Sequence, residues 1–238
     1  MYEKFASVYD IFIDADYKKT ARFYKSVFEA LGKDPRLVLD LGCGTGTLTN
    51  ELVSLGYDAF GVDSSAEMLS LAKEKYPDIL FINQDMRELD LYGTCGAAVS
   101  SLDCLNYITE ESDMERVFAL VANFLDPGGA FIFDVSSVYK LSEVNACNTF
   151  VMESPGVFGV WENEYREPYL SMELNFFIEN GGVYTRFREN QTQRAWKRDE
   201  LVRFAVNAHF EVRAVCDGFS FEKAHDLTER EVFVLVKE

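Results

Sequence analysis

Val38-Leu39-Asp40-Leu41-Gly42-Cys43-Gly44-Thr45-Gly46 is the stretch on which the fold turns. An apolar run carries one acid, then passes through three closely spaced glycines into Thr47-Leu48-Thr49-Asn50-Glu51-Leu52. This reads as a buried strand, a tight loop and the first turn of a helix. Such strand ends are where α/β proteins hold nucleotide-like ligands.

Outward from that stretch, residues 36–137 alternate strand and helix. Strands are expected at 37–41, 59–62, 79–82, 97–102 and 130–135, with helices at 48–55, 66–76 and 111–125 between them. Pro77 and Pro127-Gly128-Gly129 act as breakers. Strands separated by helices imply right-handed crossovers and a parallel sheet with helices on both faces, an α/β fold. Upstream, Phe23, Val27, Ala30 and Leu31 recur at helical spacing, and Gly32 supplies a stop. Tyr2, Tyr9 and Tyr17, with Asp10, Asp14 and Asp16 nearby, form an aromatic leader able to fold over a ligand. After Ser136 the period changes from helical to two. Met172, Leu174, Phe176 and Ile178 share one face, and Asn180-Gly181-Gly182 reads as a hairpin turn, so an antiparallel insertion interrupts the alternation. A helix at 199–208 capped by Asp199 and two strands at 211–216 and 231–236 complete the chain.

Composition narrows the partners. Against 23 Lys and Arg stand 40 Asp and Glu, a net charge of −17, and such a surface repels phosphate backbones and anionic membranes. Bulk nucleic acid and membrane are therefore not expected partners, although Arg194, Lys197 and Arg198 form a local basic run. The five cysteines are scattered without a CxxC spacing, which fits neither a disulfide framework nor a zinc site. No metal-ligand cluster is seen. The amino-terminal residues lack the apolar core of a signal peptide, and no apolar run reaches about 18 residues. A cytoplasmic location is the expectation.

Three ligand classes use a glycine-rich turn of this kind. A P-loop needs a Lys and a Ser or Thr after its last glycine, which this turn lacks. A dinucleotide site wants G-x-G-x-x-G, whereas the glycines here fall at 42, 44 and 46. Asp40 before the glycines would repel a pyrophosphate and attract a cation. Asp63 closes the second strand, where a carboxylate accepts from both hydroxyls of a ribose. Asp85-Met86 closes the third, with an acceptor and an apolar side chain suited to an adenine.

Together these blocks resemble the class I S-adenosylmethionine (SAM)-dependent methyltransferases. The chain is most similar to a bacterial subgroup with a tyrosine-rich leader and a β insertion, which includes sugar N-methyltransferases. Residues 38–46, Gly61-Val62-Asp63-Ser64-Ser65-Ala66-Glu67-Met68-Leu69, Gln84-Asp85-Met86 and Leu125-Asp126-Pro127-Gly128-Gly129 carry the resemblance. It implies a Rossmann-like, seven-stranded, mostly parallel sheet with helices on both faces and an antiparallel last strand between the sixth and fifth. It also implies a SAM-binding domain from residues 1–137 and 191–238, with 1–35 as a helical leader or lid. The antiparallel β insertion after strand 5 then spans 138–190. Asp40, Gly42, Cys43, Gly44 and Gly46 would surround the methionine end of SAM. Asp63 would bind the ribose with Ser64 and Met68 close by, and Asp85 the adenine amino group with Met86 against the ring. Leu102 would touch the sulfonium end, and Tyr9 would close over the cofactor.

The implied activity is methyl transfer from SAM, by in-line displacement, to N or O of a small-molecule acceptor, leaving S-adenosylhomocysteine. The cofactor carries the reactivity and the protein aligns donor and acceptor. Two alternatives stay open: a SAM-binding regulatory or interaction protein without transfer, and a tRNA or protein methyltransferase, which would need a positive patch beside the site. Where many relatives carry a histidine, this chain has Gln191. Asp103, Asn106 and Tyr107, after the fourth strand, are the remaining candidates for handling a proton. Tyr184, Arg186 and Trp196 are candidates for an acceptor pocket. The apolar face of the insertion either lids the site or packs on a second copy of the chain as a homodimer.

Overall fold

The computed structural model describes residues 6–12 and 15–238; Tyr2 and Asp14 of the leader lie outside them. Helices α1 (Ala6–Phe12) and α2 (Tyr17–Ala30) lead into β1 (Leu37–Leu41), α3 (Thr47–Ser54), β2 (Asp58–Asp63), α4 (Ala66–Lys75), β3 (Phe81–Asn83) and β4 (Cys95–Ser100). Next come α5 (Glu111–Phe124) and β5 (Leu125–Ser136), then four strands, β6 (Thr149–Ser154), β7 (Val157–Arg166), β8 (Tyr169–Asn180) and β9 (Val183–Arg194). The chain closes with α6 (Arg198–Asn207), β10 (Phe210–Asp217) and β11 (Arg230–Lys237).

Seven strands join in the order β3-β2-β1-β4-β5-β11-β10, and β6 to β9 form a separate antiparallel sheet. β1 to β5 run parallel, while β11 pairs antiparallel with both β5 and β10. This is the expected mostly parallel sheet with an inverted last strand. Its register is set by large side chains. Phe233 lies opposite Phe133, and their rings stack 4.9 Å apart, a cross-strand pair worth about 0.5–1.5 kcal/mol beyond its area.

Period-two alternation sorts the sheet residues onto two faces. Leu39, Phe131, Phe133 and Phe233 pack with α5 and α6 through Val117, Phe118, Leu201 and Phe204. Their neighbours Val38, Ile132, Val232 and Val234 pack with α2 and α3 through Tyr24, Phe28, Leu48 and Leu52. Both faces of the sheet are thus covered, which leaves its carboxyl edge as the place where loops can meet a ligand.

β3 and β4 are displaced by about two residues from the expected strands, β5 begins already at Leu125, before Pro127-Gly128-Gly129, and two further boundaries bear on the site. Helix α6 starts at Arg198, and Asp199 sits in its first turn rather than capping it. The exposed amide is satisfied instead by Glu200, whose carboxylate accepts from the Lys197 N–H at 2.7 Å. Strand β9 continues to Arg194, so Gln191 and Gln193 stand on the inserted sheet beside the core. Gly181 and Gly182 both take positive φ at the β8–β9 turn, as a tight hairpin requires. Among the described residues no helix is long and apolar enough to cross a membrane.

Candidate functional site

A cavity of about 780 Å³ lies at the carboxyl ends of β1 and β2 and against the turn after β4. Gly42, Gly44, Asp63, Ser64, Asp85, Met86 and Leu102 contribute to its floor and one wall. Tyr9 and Phe12 of α1 also line it, as do Met172, Leu174, Gln191 and Gln193 of the inserted sheet. The sheet edge and the insertion therefore share one space. Helix α1 bridges them: Tyr9 and Phe12 pack in the cluster of Met68, Met172 and Phe176, with the Phe12 and Phe176 rings 5.3 Å apart. At its polar side Asp10 accepts from Thr45 Oγ1 at 2.7 Å and from Lys75 Nζ at 2.8 Å, which ties the leader to the glycine loop and to α4. Burial pushes the Tyr9 hydroxyl well above its ordinary pKa, so it stays neutral.

The glycine loop is shaped by its surroundings. Gly44 takes φ +53°, lines the cavity, and has open space where a Cβ would sit. Its N–H donates to Asp63 Oδ2 at 2.8 Å, and Asp63 Oδ1 accepts from the Ser65 N–H at 2.8 Å. Asp63 is thus held at the end of β2 with lone pairs remaining for a ligand's hydroxyls. Burial raises its pKa, and the N–H groups of Ser65, Gly44 and Ser64 pull the other way. Met68 is buried beside it, its N–H donating to the capping Ser65 Oγ.

Several expected site residues are not in the cavity wall. Asp40 is buried, and its carboxylate accepts from Thr49 Oγ1 at 2.6 Å. It braces the loop onto α3 from beneath, where a β-strand side chain must point if Leu39 and Leu41 face α5. Cys43 packs against Gly61 and Phe81, and burial pushes its thiol well up, which makes it an inert filler. Gly46 lies against Phe81 and Ala72 at the start of α3.

Asp85 does line the cavity, but Arg87 grips it through Nε and Nη2 at 2.9 and 2.5 Å. That guanidinium holds the Asp85 carboxyl below the usual carboxylate range.

Burial drives the Asp40 carboxyl up to about 7. A carboxyl whose folded pKa stands above the unfolded value keeps its proton in the folded chain at pH values where the unfolded chain has lost it. Stability through this group is greatest below about pH 4 and falls as the pH rises from about 4 to about 7. Asp40→Asn is expected to remove that component. Urea midpoints at about pH 4.5 and about pH 7.5 measure it, and an equal fall in wild type and variant would refute the assignment.

The turn after β4 carries the most strain. Leu102 and Asp103 take φ +58° and +54°, a region that costs a non-glycine residue about 1–2 kcal/mol. Asp134, fully buried at the end of β5, compensates by accepting both N–H groups, at 2.9 and 3.0 Å. Arg230 of β11 pairs with Asp134 and also with Asp103, the latter at 3.1 Å. Burial works against the Arg230 charge, but Asp134 and Asp103 outweigh it and hold its pKa above the ordinary arginine value. Gln193 Nε2 donates to the other Asp103 oxygen at 2.6 Å. Asp103 thus stands in the wall with its orientation locked.

Tyr107 also lines the cavity, and its hydroxyl donates to Gln191 Oε1 at 2.9 Å. Gln191 Nε2 in turn donates to Glu189 at 3.0 Å. Asn106 is fully buried away from the cavity and staples three segments together. Its Nδ2 donates to the carbonyls of Ser136 and Arg194, and its Oδ1 accepts from the Ser136 N–H. It is spent on the fold and has no proton-handling position.

The proposed acceptor-pocket trio is dispersed. Trp196 is core, its Nε1 donating to the Ile108 carbonyl at 3.0 Å. Tyr184 lines a separate surface hollow with Phe158 and Phe177, and Arg186 donates to Asn175 Oδ1. Two of the three residues of the basic run are paired: Arg194 reaches Glu111 and Glu200, and Arg198 pairs with Glu231 at 2.8 Å.

Arg87, Asp134, Lys140 and Arg230 belong to the site or its support and were not singled out in the sequence. One signal was present. An acid inside the apolar run Phe131-Ile132-Phe133-Asp134-Val135 has to be buried, and a buried carboxylate demands a partner.

Comparison with known proteins agrees with this geometry. A family model described as a methyltransferase domain matches residues 38–129. The putative methyltransferase YqeM of Bacillus subtilis (strain 168) is 33% identical over 240 residues, covering 98% of this chain and 96% of that protein. The crystal structure of a SAM-dependent methyltransferase from Clostridium acetobutylicum superposes with a TM-score of 0.91 at 34% identity, over 99% of this chain and 98% of that one. The sugar N-methyltransferase KedS8 from a Streptoalloteichus species shares the fold, with a TM-score of 0.83 at 21% identity over 97% and 93% of the two chains.

Proposed function

The chain belongs to the SAM-dependent methyltransferases, and we propose that it methylates a nitrogen or oxygen of a small molecule held between the strand-end loops and the inserted sheet. The observation that carries this reading is the single cavity shared by those two elements. At about 780 Å³ it falls in the range of small-molecule and cofactor sites.

The residues present fit the cofactor. Gly44 leaves its backbone open to close approach, and Asp63 keeps acceptor capacity beside it. Met68 and Met86 supply soft apolar surface. In our reading Gly42 and Gly44 face the amino-acid end, Asp63 with Ser64 the ribose, and Met86 with Asp85 the base, while Leu102 adjoins the reacting end. Asp85 meets the base with its charge shared with Arg87. SAM supplies an electrophilic methyl on a sulfonium whose departure leaves a neutral thioether.

The protein's part is alignment and exclusion of water. Tyr9 and Phe12 close the space from above, and Met172 and Leu174 close it from the insertion. Asp103 and Tyr107 meet the acceptor side. Both are positioned, Asp103 by Arg230 and Gln193 and Tyr107 by Gln191. Tyr107 commits its proton to Gln191, so towards an acceptor N–H or O–H it offers lone pairs.

The paired state of Arg194 and Arg198 and the charge of −17 favour a small acceptor over tRNA. The five unpaired cysteines favour the cytoplasm. Exposed Val151, Val183 and Tyr184 on the inserted sheet support a second copy of the chain as a partner there.

Calorimetric titration with SAM tests the donor site. Asp63→Ala is expected to weaken binding by about 1–3 kcal/mol, because ribose hydroxyls lose a charged acceptor. Unchanged affinity in a folded variant would sink the assignment. Turnover to S-adenosylhomocysteine over a panel of amines and alcohols tests transfer; binding without product from any of them is the signature of a SAM-binding regulator.

A further inference from the structure

The cations of the cavity wall are unequal. Arg87 is paired with Asp85 and Asp113, and Arg230 with Asp103 and Asp134. Lys140 lines the same cavity, and among the described residues its ammonium has neither an ion pair nor a hydrogen bond. It opens the turn Lys140–Asn145, which packs on β7 and is fastened there by the Asn163 side chain donating to the Asn145 carbonyl. Strand β7 carries Trp161, another cavity residue, whose indole N–H is buried without an acceptor among the described residues.

These two donors lack acceptors in a wall where the carboxylates already have donors: Asp85 from Arg87, and Asp103 from Arg230 and Gln193. The Trp161 N–H is closed off from the cavity, so it is the half-buried Lys140 ammonium that gains a charge-assisted hydrogen bond from a ligand oxygen. Burial lowers the Lys140 pKa, the neighbouring Arg230 lowers it further, and Asp103, Glu229 and Asp134 raise it. Lys140 is half-buried, and it is the cation of this cavity wall that no carboxylate among the described residues approaches within ion-pair distance. Around it stand Phe150, Met152 and Trp161, an apolar and aromatic surface.

We propose that the acceptor carries an oxyanion, a carboxylate or a phosphate ester, which is seated on the Lys140 ammonium while its apolar body lies against Trp161 and Met152. This rests on reading the inserted-sheet side of the cavity as the acceptor side. It places Lys140 as a specificity-determining residue and gives the insertion a chemical task beyond covering the cofactor.

The test compares benzoate, phenyl phosphate and uncharged benzyl alcohol, titrated into the full chain and followed by tryptophan fluorescence or calorimetry. At least one of the two anions is expected to bind about ten-fold or more tighter than the alcohol, as a charge-assisted hydrogen bond provides. Which anion wins identifies a carboxylate or a phosphate as the natural group. Lys140→Met is expected to reduce anion affinity to that of the alcohol, and Lys140→Arg to keep the preference. Lys140→Gln replaces the methionine variant if that one does not fold. Equal binding of anion and alcohol to the wild type, or a preference that survives loss of the ammonium, would overturn the proposal. SAM titration runs in parallel: a wild type that does not bind SAM refutes the methyltransferase reading, while the anion comparison still decides the role of Lys140.

Discussion

Arg230→Met is expected to destabilise the protein by about 3–5 kcal/mol, since it leaves the fully buried Asp134 without its counter-ion. For a chain of 238 residues this corresponds to a fall in Tm of roughly 6–20 °C. The companion variant carries the argument. If Asp134 and Arg230 formed only an ion pair, Asp134→Leu combined with Arg230→Met would restore most of the stability, because an apolar pair of similar volume often replaces a buried salt bridge without loss. Here Asp134 also accepts from the Leu102 and Asp103 amides, which sit in a left-handed turn that no other carboxylate holds among the described contacts. The double variant is therefore expected to remain destabilised, by about 1–3 kcal/mol for each orphaned amide. Urea unfolding of the two single variants and the double closes the cycle. Recovery of wild-type stability in the double would show that the turn stands without Asp134.

Gly46→Ala and Gly44→Ala are expected to fail in opposite ways. Both glycines have positive φ, +75° and +53°, so each substitution incurs the left-handed cost of about 1–2 kcal/mol. A Cβ at Gly46 would sit 2.5 Å from the Phe81 ring and 3.1 Å from Ala72 Cβ. Phe81 is buried among Cys43, Leu69 and Ala72 and cannot yield cheaply, which adds about 1–3 kcal/mol of overpacking. Gly46→Ala should thus lose about 2–5 kcal/mol of stability. A Cβ at Gly44 meets nothing within 4 Å and enters the cavity itself. Gly44→Ala should lose little more than the backbone cost while losing most of its SAM affinity. Unfolding midpoints and SAM titration on both variants separate the two outcomes, and equal losses in both measurements would contradict this division of labour within the loop.

The contrast between these glycines shows where sequence reading stops. The spacing of Gly42, Gly44 and Gly46 marks a loop at a strand end, but both Gly44 and Gly46 look alike until Phe81 is brought beneath one of them. Asp40 is a similar case. Its position before the glycines suits a cationic ligand, yet strand alternation turns it under the loop to Thr49. Asn106 sits among candidate proton carriers in sequence, yet it binds Ser136 and Arg194, 30 and 88 residues away. Trp196 reads equally as a pocket or a core residue, because aromatic side chains serve both. Only the Ile108 carbonyl, 88 residues distant, assigns it to the core.

The order and type of the elements and the identity of the donor are legible along the chain, and the inverted last strand through its family blocks. The elements and the donor are written in local periodicity, in turn residues and in acids at successive strand ends, which neighbours in the chain suffice to read; the inverted last strand follows only from the family resemblance. The tertiary structure alone decided which polar groups remain for the acceptor. Asp103 meets Arg230 across 127 residues and Gln193 across 90, and Tyr107 meets Gln191 across 84. Whether a side chain is spent on the fold or left facing the cavity depends on such distant partners, which is why Lys140 emerged only once they were in place.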